Sequence, residues 1–311
     1  MRRRATLALL LTLAAFPLRA EVRKVAVTFD DLPDINADDD SLSAQQQITA
    51  KLLAALQRQH VPAIGFVNED KVLGSAGTPD PQRIHLIEEW LDAGFEIGNH
   101  TYSHEDLNGV GAREYEQDIV KGEATIRPML ERRGLPLRWF RHPYLNTGKT
   151  LEERDEVDRF LAGRGYEIAP VTLDDSEWIY EVAYRKAIFW FRPAIRRSYI
   201  RYMRERFEWD EAQSRLVFGR EIPQVLLLHA GALDADAFDS LAAMIRDRGY
   251  EFVTIEQATS DPAYRTPEQW TGGGVSWFER WGVALGIDDS RFTGDPHVPS
   301  WIQRLAGAKD E

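Results

Sequence analysis

Residues Lys24–Asp31 read KVAVTFDD. Lys24–Phe29 is rich in Val and Thr, a composition that predicts a β-strand, and it stops on two adjacent carboxylates, Asp30 and Asp31. Two hundred residues later QVLLLH, Gln224–His229, repeats the plan. An unbroken apolar run fits a strand covered on both faces, as in a parallel sheet, and it too ends on a titratable side chain. Between these two stretches strands and helices alternate. Strands are expected at Ala63–Val67, Phe95–Gly98, Arg138–Arg141 and Tyr166–Leu173, and after QVLLLH at Glu251–Thr254. Apolar residues at helical spacing, with glycines as stop signals, predict helices over Ser43–Gln59, Pro81–Ala93, Glu114–Arg133, Leu151–Arg164 and Asp236–Arg248. About seven such units between residues 24 and 260 imply βαβ connections and a parallel sheet.

The chain has 311 residues, 43% hydrophobic and 28% charged, which excludes collagen-like, coiled-coil and disordered classes and suits an α/β barrel. With no cysteine, disulfides, thiolate zinc sites and a cysteine nucleophile are excluded. Lys and Arg number 38 against 50 Asp and Glu, a formal net charge of −12. That balance disfavours nucleic acid and anionic lipid surfaces as partners. Residues 1–20 carry a basic start, an apolar run from Ala5 to Phe16 and an imperfect small-residue cleavage site at Leu18-Arg19-Ala20. They are expected to be a signal peptide, the apolar run being too short to span a bilayer, which makes the protein exported, periplasmic or secreted, with no transmembrane span in the mature chain. Residues 21–265 are expected to form the catalytic barrel, interrupted at about 179–221 by an aromatic, arginine-rich helical insertion. Residues 266–311 form a C-terminal extension that wraps the domain or hangs free.

The reactive side chains obey a positional rule. Asp30 and Asp31 follow the first strand; Asn99, His100 and His104 follow FEIG; Arg141, His142 and Tyr144 end RWFR; Asp174, Asp175, Glu177 and Trp178 follow EIAPVTL; His229 ends QVLLLH. In a parallel barrel those C-terminal ends share one face, where active sites are built. His100 and His104 are spaced i, i+4 and on a helical turn would face one way. With Asp31 they make two imidazoles and a carboxylate, the donor set of a catalytic zinc site that keeps a position open for water. The competing reading, a chance histidine pair on one helix face, leaves the acid doublet and His229 unaccounted for. His100 is followed by Thr101, so the HExxH pattern fails.

TFDD (Thr28–Asp31), HTYSH (His100–His104), RHPY (Arg141–Tyr144), DDSEW (Asp174–Trp178) and LLH (Leu227–His229) occur in the order found in polysaccharide deacetylases, carbohydrate esterase family 4, which the chain resembles over roughly residues 24 to 260. The resemblance implies a distorted (β/α) barrel of about seven parallel strands holding one divalent metal, most often Zn2+, on Asp31, His100 and His104. It implies Asp30 as general base, steered by Arg141, and His229 as general acid entering from the far side of the cleft, oriented by Asp174 or Asp175. The backbone N–H of Tyr144 would help hold the oxyanion, and Trp178 and Leu227 would wall the acetyl pocket. The implied reaction is hydrolysis of N-acetyl groups from amino sugars of a polysaccharide or oligosaccharide, with an acetylated glycan as partner. O-acetyl ester hydrolysis and a non-catalytic glycan-binding barrel are the alternatives; Asp30 and His229, which have no part in metal binding, speak against the second. Three departures stand out: Leu32 in place of the usual glycine, His142 in place of proline, and Glu177 where aspartate is common. His142 is expected to be a surface residue or a substrate contact.

Overall fold

A computed structural model describes residues 22–37, 39–74 and 76–308; the expected signal peptide lies outside the described residues. The chain runs β1 (Arg23–Leu32), α1 (Leu42–Arg58), β2 (Ala63–Val67), α2 (Pro81–Asp92), β3 (Glu96–Asn99), then three short helices α3 (Leu107–Val110), α4 (Ala112–Lys121) and α5 (Ile126–Arg132). It continues through β4 (Trp139–Phe140), α6 (Leu151–Gly163), β5 (Glu167–Ile168), α7 (Glu177–Lys186), α8 (Arg192–Phe218), β6 (Gln224–His229), α9 (Ala232–Asp247) and β7 (Tyr250–Phe252). Helices α10 (Ile255–Thr259), α11 (Trp277–Ala284) and α12 (Ser300–Ala306) complete it.

All strand pairs are parallel, in the order β5-β4-β3-β2-β1-β6, with β7 on the first residues of β1. The expected strand Tyr166–Leu173 is shorter and split. Pro170 has no N–H for a ladder, and past it Thr172 and Leu173 donate to Val225 O, both at 3.0 Å, with Leu173 forming a parallel bridge to Leu226. One segment thus leaves β4 and docks on β6, joining the two ends of the sheet into a distorted barrel.

Alternation along the strands fixes what fills it. Val25, Val27 and Phe29 face the helices, as do Leu226 and Leu228, in one large apolar core. Ala26, Ile64, Phe66, Trp139, Ala169 and Val225 fill the interior. Gly98 is required there: a Cβ would lie 2.6 Å from Phe66 and 2.8 Å from the Trp139 carbonyl. Above this layer the interior turns polar, with Thr28 and Arg141 beneath Asp30, His100 and His229.

The expected helix Glu114–Arg133 is broken. Gly122 ends its first half, pressed so close to the loop after β3 that a Cβ would meet Asn99 Oδ1 and the Thr101 backbone at 2.7 Å. Glu123, inside the break, is held by Arg164 and Tyr166. The insertion is an antiparallel helical hairpin, α7 and α8. Residues 266–308 wrap the barrel: Trp277, Phe278 and Trp281 bury against Leu145, Val171 and Leu227.

Candidate metal centre and its acid–base pairs

A bulge in β1 makes the site possible. Phe29 pairs with Gly65 and Leu32 with Val67, three steps on β1 against two on β2, and Asp31 sits at φ 66°. In a regular strand consecutive side chains point to opposite faces; the extra residue re-aims one of them, so that Asp30 and Asp31 both serve the rim.

The two histidines do not lie on a helical turn as the spacing suggested. They flank a loop in which Thr101 (φ 68°) and His104 (φ 56°) take left-handed conformations, and this loop brings the rings to 4.9 Å between centroids. His100 Nδ1 lies 2.8 Å from the Arg141 carbonyl oxygen. A carbonyl only accepts, so Nδ1 carries the hydrogen and Nε2 presents its lone pair to the acids. That Nε2 is 3.9 Å from Asp31 Oδ1, and His104 Nε2 is 3.6 Å from the same oxygen. One donor atom from each of Asp31, His100 and His104 lies within 4.8 Å of the others. Asp31 Oδ1 is buried without a hydrogen-bond partner, an orphan acceptor that calls for a cation. Burial drives both histidines toward the neutral form that ligates metals. Burial also raises the Asp31 carboxyl, but nearby positive charge, led by the Lys71 ammonium at 3.6 Å, outweighs it and holds it below the usual carboxylate range. The residues therefore fit a divalent ion with nitrogen and oxygen ligands.

Asp30 is 3.7 Å from His100 Nε2 and 3.6 Å from Arg141 Nη1. Burial pushes its carboxyl up to about 6 against the pull of Arg141 and His229. Arg141 is wholly buried, its guanidinium 4.8 Å over the Phe66 ring, and it donates from Nη2 to Thr28 Oγ1 at 3.0 Å. Thr28 in turn donates to the Leu226 carbonyl.

His229 pairs in register with Asp30, so the two stand on neighbouring strand ends rather than facing each other across a cleft. The carboxylate bound to it is Glu177, not Asp174 or Asp175: Nδ1 and Glu177 Oε2 are 2.9 Å apart. The reason is local. Asp175 spends an oxygen accepting the Glu177 N–H at 2.9 Å, which starts α7 and turns the Glu177 side chain, fully buried, toward β6. Asp174 is half-buried; desolvation raises its carboxyl, opposed by Arg206 and Arg280. Burial alone would discharge His229, but the hydrogen bond and charge of Glu177 outweigh it and push the ring up to about 9.

Tyr144 (φ 55°) projects from the RHPY loop and sets its ring 4.5 Å from that of His104. Arg280, buried on α11, donates to the Leu145 carbonyl and to Thr147 Oγ1, so the C-terminal wrap braces this loop. His142 is neither a surface residue nor at the rim. It is buried parallel to Tyr115 (interplanar 2°), with Nδ1 3.0 Å from Tyr115 Oη. Burial, then Arg280 and Arg141, lower it to about 3. Trp178 lies partly exposed beside Glu177, and Leu227 sits in the interior one step below His229. Sequence reasoning missed Lys71, Thr28 and the part played by Glu177; the glutamate at an aspartate position was the one visible signal.

Fold and site together define a distorted parallel barrel with a two-histidine, one-carboxylate centre at the C-terminal ends of its strands. A family model described as polysaccharide deacetylase matches residues 19–157, and over that stretch the chain is similar to a polysaccharide deacetylase domain. Over 155 residues the chain is 28% identical to the peptidoglycan-N-acetylglucosamine deacetylase of Bacillus cereus, covering 50% of this chain and 46% of that one. Over 103 residues it is 31% identical to the chitooligosaccharide deacetylase of Sinorhizobium fredii, covering 33% and 39%. The chain thus spans less than half the length of these curated relatives. Its fold is similar to that of a CE4 family pseudoenzyme from Bacillus anthracis, with a TM-score of 0.50 and 16% identity over 76% of this chain and 65% of that one. That likeness bears on the fold alone.

Proposed function

We propose that the protein is a metal-dependent hydrolase that removes N-acetyl groups from amino sugars of a polysaccharide or oligosaccharide. The observation that carries the reading is the pair of proton-transfer groups beside the ligand set: a carboxylate held at about 6 and an imidazole pushed up to about 9. Such a division is what acid–base hydrolysis at neutral pH needs. A divalent ion on Asp31, His100 and His104, Zn2+ by its imidazole and carboxylate donors, would supply a nucleophile from water near neutral pH and positive charge for the carbonyl oxygen.

The chain's own residues do the rest. Asp30 accepts the proton of the attacking water, and Arg141 keeps it ionised until then. His229 donates its Nδ1 hydrogen to Glu177, which leaves Nε2–H to protonate the departing nitrogen; an amine does not leave as an anion. The Tyr144 N–H adds a donor for the oxyanion, and Trp178 and Leu227 bound the acetyl pocket. Residues 1–20 and the relatives named for peptidoglycan support an exported protein acting on a cell-wall or extracellular glycan.

The test is acetate and free-amine release from N-acetylglucosamine oligosaccharides by the zinc-loaded chain, beside acetate release from O-acetylated xylan. Amine release supports the proposal. Release from the xylan alone makes the enzyme an esterase, and no release from either substrate by a chain that binds zinc refutes it.

A further inference from the structure

The turn between α7 and α8 has no part in the site. It carries Ile188, Phe189, Trp190 and Phe191 in succession, exposed by 56%, 75%, 65% and 46%. Burying such side chains is strongly favourable, and a contiguous exposed apolar cluster marks a contact surface. Phe189 and Trp190 meet edge to face at 4.8 Å, and Phe191 leans on Trp301 of α12.

From this tip back along both arms of the hairpin the charge of the chain reverses. Between Val182 and Arg204 stand Arg185, Lys186, Arg192, Arg196, Arg197, Arg201 and Arg204, and no acid, in a chain whose net charge is −12. Among the described residues only Arg185 of these forms a salt bridge, to Asp40. Lys186 and Arg196 donate to backbone carbonyls, of Ala306 and Asp236, and Arg192 lies over the Tyr184 ring. Arg197, Arg201 and Arg204 fall at i, i+4 and i+7 and so share one stripe of α8 that leads from the tip back toward the rim, where Tyr202 meets Ser176.

The hairpin also fixes where the tip stands. Tyr180 Oη bonds Ser198, and the Ser176 N–H donates to Tyr202 Oη, so α7 and α8 run antiparallel. Helix α7 leaves the rim at Glu177 and runs for ten residues, which puts the aromatic tip about 15 Å out from His229.

We propose that this tip is an interfacial membrane anchor: Phe189 and Trp190 enter an anionic phospholipid leaflet, and the surrounding cations bind its headgroups. Aromatic residues favour the headgroup boundary, and each basic residue near an anionic surface adds attraction. The chain's overall negative charge does not oppose this, because charges beyond about 10 Å are screened at ordinary ionic strength. The anchor would hold the rim of the barrel beside a membrane.

The chain has no cysteine, so a Phe189→Cys variant of the full chain takes one environment-sensitive dye. Leu135→Cys, at an exposed residue after α5, is the control. With vesicles of phosphatidylglycerol and phosphatidylethanolamine, the dye at 189 should brighten, shift blue and be quenched by brominated lipid; the dye at 135 should not. Phosphatidylcholine vesicles should have no effect. In the labelled chain, Arg192→Gln with Arg197→Gln, the two exchanges on the tip side of α8, should weaken the response about thirtyfold, and ~0.5 M salt should abolish most of it. The proposal is overturned if the dye at 189 ignores anionic vesicles, if it responds equally to neutral ones, or if only insoluble peptidoglycan moves it, which would make the tip a glycan contact. Because the readout is local, residues 1–20 cannot mimic it.

Discussion

Replacing Glu177 by Gln keeps the shape of α7 and removes one charge from the 2.9 Å contact with His229 Nδ1. Without it burial is the leading influence on the ring, and the His229 pKa should fall from about 9 to its ordinary 6.5 or lower. That drop of about 2.5 pH units corresponds to about 3 kcal/mol. At pH 8 the protonated fraction would go from about nine-tenths to about one-thirtieth, so turnover should fall roughly thirtyfold. At pH 6 both forms are largely protonated and the gap should close to within about twofold. The assay is amine release from an N-acetylglucosamine oligosaccharide between pH 5 and 10, with bound zinc measured in the same samples. The alkaline limb should move to lower pH with zinc content unchanged. A loss of the same size at every pH, with the limb in place, would refute the view that Glu177 sets the charge of His229. So would a shifted limb in Asp174→Asn and none in Glu177→Gln.

Asp30→Asn should keep zinc and lose about 10²–10⁴ in turnover, whereas His100→Ala should lose both; equal zinc loss, read by metal analysis, would make Asp30 a ligand. The wild-type profile should be bell-shaped, because Asp30 must be ionised and its carboxyl is raised to about 6, while His229 must be protonated and holds its proton to about 9. Activity then fails below the first value and above the second, and bound zinc moves the acid limb lower by favouring the carboxylate. The Glu177–His229 pair should stabilise the fold fully below pH 6.5 and lose its contribution as pH rises through about 9, since the ring is raised in the folded state; urea midpoints of wild type and Glu177→Gln should converge above that pH. Gly98→Ala should cost about 1–3 kcal/mol in urea unfolding, since its Cβ would press on Phe66 and the Trp139 carbonyl within the barrel.

KVAVTF and QVLLLH announce parallel strands because a strand covered on both faces must be apolar throughout, and that demand is local. For the same reason the strand ends point to Asp30, Asp31, His100, Arg141 and His229 as candidates, because a parallel barrel gathers such ends on one face; His104 joins them by its spacing from His100. The tertiary structure decided what depends on residues distant in sequence or on backbone angles. Adjacent acids can serve one site only because β1 bulges against β2 at Asp31, a register fixed by pairing and not by composition. The histidine spacing is that of a helix, yet the rings converge across a left-handed loop, held where Gly122 closes against Asn99 and Thr101. The sequence offered Asp174 or Asp175 as the partner of His229, and only the start of α7 puts Glu177 there instead, using Asp175 as its turn acceptor. His142, polar and beside the site in sequence, is buried because Tyr115 and Phe140, from separate elements, pack around it. Periodicity and burial are written along a segment; which of several equivalent side chains meets a given partner is set by packing between segments, where single residues carry no signal.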